Sequence, residues 1–152
     1  MIGLAQNAKW GVLFSPQVAD GAAFAANGYI DTLGYGYLEV IIQTGTLADT
    51  IGTTTASTAI VLEECETYNG SYTEIAAAVL AAAIAADQDD KLYKIDINLM
   101  NRTNKRYMRI KAPTAGATGA GAYASALARL SMPQGVAPST ATERGFVENI
   151  LA

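Results

Sequence analysis

Residues 92–100 (LYKIDINLM) alternate between apolar and polar side chains. In an extended strand this period of two puts Tyr93, Ile95, Ile97 and Leu99 on one face and Lys94, Asp96 and Asn98 on the other. A strand patterned this way buries one face only, so the chain must supply a second layer to cover it. That requirement selects the other segments. Residues 37–43 (YLEVIIQ) are aromatic and β-branched, with Leu38, Val40 and Ile42 on a common face and glycines at 34, 36 and 45 around them. Residues 59–66 (AIVLEECE) read as the next strand, with Ile60 and Leu62 inward. Tyr68-Asn69-Gly70 then reads as a turn in which Asn-Gly supplies positive φ.

Residues 105–111 (KRYMRIK) return across the short connection Arg102-Thr103-Asn104, with either Tyr107 or the pair Met108 and Ile110 facing in. Lys105, Arg106 and Arg109 predict a solvated edge strand, because edges carry charge against stray pairing. Residues 46–58 are rich in Thr, which suits strands and turns better than helices. Residues 122–131 fit two periods. Ala122, Ala124, Ala126, Ala128 and Leu130 alternate as in a strand, whereas Tyr123, Leu127 and Leu130 fit a helix. The preceding glycines and the need for a closing strand favour the strand. Residues 73–86 predict a helix, with Thr73 as its cap, Ala as the best helix former, and Ile75, Val79, Leu80 and Ile84 near one stripe.

Together these segments predict a mainly β chain: an antiparallel β-sandwich, or a barrel-like or jelly-roll-like arrangement, with at most one or two short helices. No βαβ alternation is present, and 152 residues correspond to about one domain. The expected organisation is an extended N-terminal arm over 1–28, a sandwich over 29–132, and a tail over 133–152 holding a short helix around 144–151. The arm carries Trp10, Phe14 and Phe24 among Gly, Ala, Gln and Asn. An ordinary first strand plus loop is the other reading of the same residues.

Reactive constellations are not apparent in the sequence. Without His the chain lacks the commonest general base and zinc ligand. Cys65 stands alone, so no intrachain disulfide can form, and its place behind Glu63 and Glu64 predicts an inert thiol. Asp87, Asp89 and Asp90 resemble half a calcium loop but lack its glycine and closing glutamate, so a solvated turn is expected. Gly116, Gly119 and Gly121 suggest a phosphate cradle but lack the Lys-Ser/Thr of a P-loop, which leaves a flexible loop. The net charge of −4 does not suit a nucleic-acid binder. The longest apolar run, residues 75–86, is mostly alanine and shorter than the roughly 20 residues a spanning helix needs. The first nine residues do not form a secretory signal. A soluble non-enzyme that assembles in a cytoplasm is expected, with no cofactor, no metal, no nucleic acid and no membrane partner. Charged residues are only 16% of the chain and spread out, as on proteins packed against others.

Several motifs occur in a definite order. Ile30-Asp31-Thr32 precedes Gly34-Tyr35-Gly36-Tyr37 and the strand LEVIIQTG, followed by IVLEE, a turn and Thr73-Glu74-Ile75. IDINLM, Lys105-Arg106-Tyr107-Met108-Arg109, a Gly/Ala/Thr loop, and the run from Ser125 through Arg129 to Ser131 complete the series. Over about 30–131 the chain resembles a family of small proteins found among the head genes of tailed bacteriophages, similar in size and style to capsid cement or decoration proteins. It departs from them in the Ala-rich stretch 76–86, where a more polar loop is expected. The resemblance implies a virion structural subunit on the outer surface of the phage head, a homotrimer whose partner is the major capsid protein. Another virion part, such as a tail tube or head–tail connector protein, is the alternative, and a lectin-like module a more distant one. The residues expected at the capsid or oligomer interface are Trp10, Phe14 and Phe24 of the arm, with Tyr29, Tyr35 and Tyr37 beside it. Tyr favours interfaces because one end is apolar and the other hydrogen-bonds, although aromatic packing at a sheet end explains the second trio equally well.

Overall fold

The computed structural model describes residues 7–26, 28–52, 59–100, 105–111, 113–116, 119–135, 142–143 and 145. Eight strands run in chain order among them: β1 (Lys9–Ala19), β2 (Ile30–Asp31), β3 (Tyr35–Leu47), β4 (Val61–Cys65), β5 (Thr73–Val79), β6 (Leu92–Asn98), β7 (Tyr107–Ile110) and β8 (Ala122–Pro133). They form two antiparallel four-stranded sheets, β1-β8-β3-β6 and β2-β7-β4-β5, with no closed barrel. The fold is a β-sandwich, and the described residues contain no helix.

Alternation decides the centre of the first sheet. Leu38, Val40 and Ile42 of β3 are buried, and β8 sets Ala128 opposite Val40 and Ala126 opposite Ile42. Residues 122–131 are therefore a strand, and all five of the alternating residues from Ala122 to Leu130 are buried. Burying an Ala row leaves space between the layers. The fully buried Phe24, Leu13, Leu62, Met108 and Ile110 belong to the same core cluster and are large enough to fill it. β6 pairs regularly with β3 from Asn98 to Leu92, and Ile95 and Ile97 face in as expected.

The described part of the expected arm, residues 7–26 and 28, is not free but follows the other reading, a first strand plus loop. β1 pairs with β8 along its length, and Phe14 and Phe24 are 3% and 1% exposed, with ring centroids 5.4 Å apart. The reason is local. Register shifts on either side of Phe14 break the alternation, so that Leu13 and Phe14, neighbours in sequence, both enter the core. Ala25 and Gly28 then lie back against β1, with the Ala25 N–H donating to Gln17 Oε1 at 2.8 Å. The Gly28 N–H donates to the Leu13 carbonyl at 2.9 Å, and a Cβ at Gly28 would lie 2.2 Å from the Val12 carbonyl oxygen, so only glycine fits there.

Three further expectations change. Residues 73–79 form β5 rather than a helix. Ile75 and Ile84 are buried, but Val79 of the expected stripe is 42% exposed. Pairing with β4, and the two backbone hydrogen bonds joining Ile84 to Ile51, outweigh the helix preference of Ala, which amounts to tenths of a kcal/mol per residue. The basic segment is not an edge strand: β7 lies between β2 and β4, with Met108 and Ile110 buried. The turn at Asn69-Gly70 exists, closed by the Gly70 N–H to the Thr67 carbonyl at 3.1 Å, but neither residue has positive φ. Gly70 is needed for space, since a Cβ there would fall 2.6 Å from the Cys65 Sγ. Arg102, the Thr-rich residues 53–58 and, apart from Gly145, the expected short helix at 144–151 lie outside the described residues.

Each of the four sheet edges carries a device against pairing with another strand. β2 is two residues long, β5 has a register shift, β1 is bulged and contains Pro16, and β6 bears Lys94 and Asp96.

Because Phe24 is sealed in the core, Phe24→Ala should lower the unfolding free energy by about 3–5 kcal/mol, measured by urea denaturation. A chain starting at residue 29 loses β1 and both phenylalanines and should show no cooperative unfolding transition. A sharp transition in that truncated chain would restore the separable arm.

Candidate interaction surface

The outer face of the β2-β7-β4-β5 sheet is built from the residues that alternate away from the core. On β7 these are Tyr107 and Arg109, and their direct partners are Asp31 on β2 and Glu63 and Cys65 on β4. Tyr29 precedes β2, and Tyr68 and Tyr72 lie between β4 and β5. These segments meet. Tyr29 stacks on Tyr68 at 5.6 Å between centroids, and Tyr107 stands edge-on to both, at 5.6 and 6.3 Å. The Tyr72 hydroxyl donates to the Tyr68 carbonyl at 3.0 Å. Tyr29 and Tyr68 remain 45% and 55% exposed, so ring surface stays open to a partner.

Two guanidinium groups complete the face. Arg106 forms a two-pronged pair with Asp31, Nε to Oδ1 at 2.9 Å and Nη2 to Oδ2 at 2.7 Å, while its Cζ lies 5.0 Å from the Tyr107 ring centroid. Arg109 donates from Nε to Glu63 Oε2 at 2.9 Å, with its Cζ 4.0 Å from the Tyr72 ring centroid. The hydrogen bond from Arg106 holds the Asp31 carboxyl below the ordinary aspartate range, against the opposing effect of burial. Burial pushes the Tyr72 phenol up. Cys65 is buried beneath this cluster as a free thiol.

The opposite face of the sandwich differs. Across the β1-β8-β3-β6 sheet, Val12, Leu127 and Ile41 are direct cross-strand neighbours and form a short apolar row ending at Lys94. The adjacent row holds Trp10, Arg129, Glu39 and Asp96. In it Arg129 donates to Glu39 at 2.7 Å, and its Cζ lies 5.8 Å from the Trp10 ring centroid.

The six residues predicted from sequence are therefore dispersed. Phe14 and Phe24 are core residues and cannot serve as surface contacts in the folded chain. Trp10 is half-buried on the first sheet, and Tyr35 and Tyr37 sit at the start of β3 in that same sheet. Tyr29 alone joins the tyrosine cluster. Tyr68, Tyr72, Tyr107, Arg106 and Arg109 were not anticipated together. The available signal was the inward choice of Met108 and Ile110, which turns Tyr107 and Arg109 outward.

Asp89 of the candidate calcium loop and two amides of the glycine run are taken up by structure. Asp89 Oδ1 accepts the Leu47 N–H at 2.6 Å. The Gly116 N–H donates to the Thr50 carbonyl and the Gly119 N–H to Asp20 Oδ1, so these amides are not free to cradle phosphate. Among the described residues no group of three His, Cys, Asp or Glu could hold a metal, and no helix is long and apolar enough to cross a membrane. Set against protein-family models, curated proteins and solved structures, the chain matches none.

Since the Asp31 value is lowered in the folded chain, its pairing stabilises the protein above the ordinary carboxylate range and is lost as pH falls through the lowered value. Asp31→Asn should therefore flatten the fall in stability below about pH 4, read by thermal unfolding across an acid series. An unchanged acid limb would mean that the pair does not couple to folding.

Proposed function

We propose that this chain is a virion structural subunit, a cement protein that binds the assembled major capsid shell of a tailed phage through the outer face of the β2-β7-β4-β5 sheet. The observation that carries the reading is the exposed Tyr29–Tyr68–Tyr107 cluster with Arg106 and Arg109 held beside it. Tyr and Arg are the residue types that dominate binding energy at interfaces. Here both guanidinium groups are already fixed by carboxylates, so docking orders few side chains and loses little entropy. The order of sequence motifs from residue 30 to 131 supplies the phage-head context.

The mechanism is linkage. A subunit that binds the closed shell and not its free components stabilises the shell as its concentration rises. A trimer on local three-fold axes would let one patch make three equivalent contacts. A tail-tube subunit, the alternative, needs a regular edge strand for pairing between subunits, and the devices on all four edges disfavour it.

Phage heads assembled without this chain provide the test. The purified protein should decorate their outer surface in many copies, counted by quantitative mass spectrometry. The double variant Tyr29→Ala/Tyr68→Ala should bind at least about tenfold more weakly, a loss of roughly 1.4 kcal/mol or more, while Trp10→Ala on the opposite face binds normally. Undiminished decoration by the double variant would dismiss this face. Absence of the wild-type chain from decorated particles would dismiss the cement reading itself.

A further inference from the structure

On the far side of the sandwich from the tyrosine cluster, the bulge in β1 opens a groove of about 480 Å³. Phe14 pairs with Ala126 and Gln17 with Ala124, so Ser15 and Pro16 share the space opposite Ser125, which stays half-buried at the groove. Gln43 is the direct cross-strand partner of Ser125, and Tyr123 lies two residues along β8 on the same face. Gly45 contributes no side chain, and Asp90 completes the lining in a left-handed conformation, φ 54°.

Of the polar side chains lining this groove, Gln17 is tied to Ser15 and Ala25 and Thr44 to Gln88 and Lys91, and three others are uncommitted. Among the described residues, the side chains of Gln43, Ser125 and Asp90 make no hydrogen bond or ion pair within the chain. They offer an amide that donates and accepts, a hydroxyl that does both, and a carboxylate that accepts two hydrogen bonds. Beside them the Tyr123 ring is 50% exposed. Among the described residues no Lys or Arg lines the groove, and its one charged lining residue, Asp90, disfavours an anion. Its volume lies within the roughly 300–1,000 Å³ range of small-molecule sites.

We propose that this groove binds a neutral saccharide, one or two pyranose units taken singly or from a glycan chain. A pyranose has a face of C–H groups that packs on an aromatic ring and a rim of hydroxyls that both donate and accept. Tyr123 supplies the ring, and Asp90, Gln43 and Ser125 supply partners for the rim. The groove is open and shallow, as suits a ligand that keeps part of its rim in water. Because it lies on the opposite sheet, a subunit docked through Tyr29 and Tyr68 would hold it away from the shell, although the binding itself does not depend on that docking.

The full chain is titrated with maltotriose, cellotriose and chitotriose, with ADP as an anionic control, and backbone amide shifts are followed by NMR. At least one trisaccharide should saturate with a dissociation constant below about 10 mM, and the shifts should centre on residues 43–45, 90 and 123–125. Tyr123→Ala and Gln43→Ala, both on the outer face, should each weaken it about tenfold without lowering the unfolding temperature. Tyr29→Ala should leave it unchanged. No saturation by any of the three sugars, tighter binding of ADP, or full affinity in Tyr123→Ala would each overturn the site. Tyr123→Ala should decorate capsids normally, so failure of this groove is distinct from failure of the docking face.

Discussion

β8 lies between β1 and β3, and every second residue from Ala122 to Leu130 is shut in between the two sheets. The remaining architecture depends on the smallness of that row. A methyl group buries little area, on the order of one CH₂ or about 0.8 kcal/mol, so β8 contributes little hydrophobic stabilisation by itself. What it contributes is room. Phe14 and Phe24 arrive from the N-terminal segment, Leu62 from β4, and Met108 and Ile110 from β7, and all are buried in the common cluster. The N-terminal residues are thus part of the interior because the strand they pair with carries alanines on its inner face.

The same arrangement explains which parts of the fold could be read from sequence. β3, β6 and β8 are regular across their mutual pairings over most of their length, so period-two alternation survives in the sequence and predicts which side chains face in. β1 hides because its bulges place Leu13 and Phe14 together in the core, a pattern with no period. β5 hides for a different reason. Its alanines carry almost no signal of face, and their helix preference points away from the structure that the pairing to β4 imposes. Basic charge on β7 suggested an edge, yet β7 is internal because the charges are met from both sides, by Asp31 before it and by Glu63 across the ladder.

The tyrosine cluster was harder still to foresee. Tyr29, Tyr68, Tyr72 and Tyr107 come from three segments far apart in the chain, and they meet because the sheet order sets β7 between β2 and β4. Alternation can show that Tyr107 points outward, but only strand order can bring Tyr29 beside it. Surface function that depends on topology is invisible to patterns that are local in sequence. By contrast, the Ser125 and Gln43 pair follows from the β3–β8 register, which runs without a shift from Tyr37 to Thr44.

A sandwich has two outer faces, and here their chemistry differs in kind. One face concentrates aromatic rings and guanidinium groups whose positions are fixed by ion pairs before any partner arrives. Preorganised rings and guanidinium groups suit a protein surface, where affinity comes from a few desolvated anchors. The other face is interrupted by a bulge, at a groove that sets unpaired polar side chains beside a single ring. Such groups hold little binding energy over a broad area but can match a small hydroxylated ligand closely. The outer side chains of the two sheets lie on opposite sides of the shared core, so substitutions on one face test the chemistry of that face without removing a residue of the other.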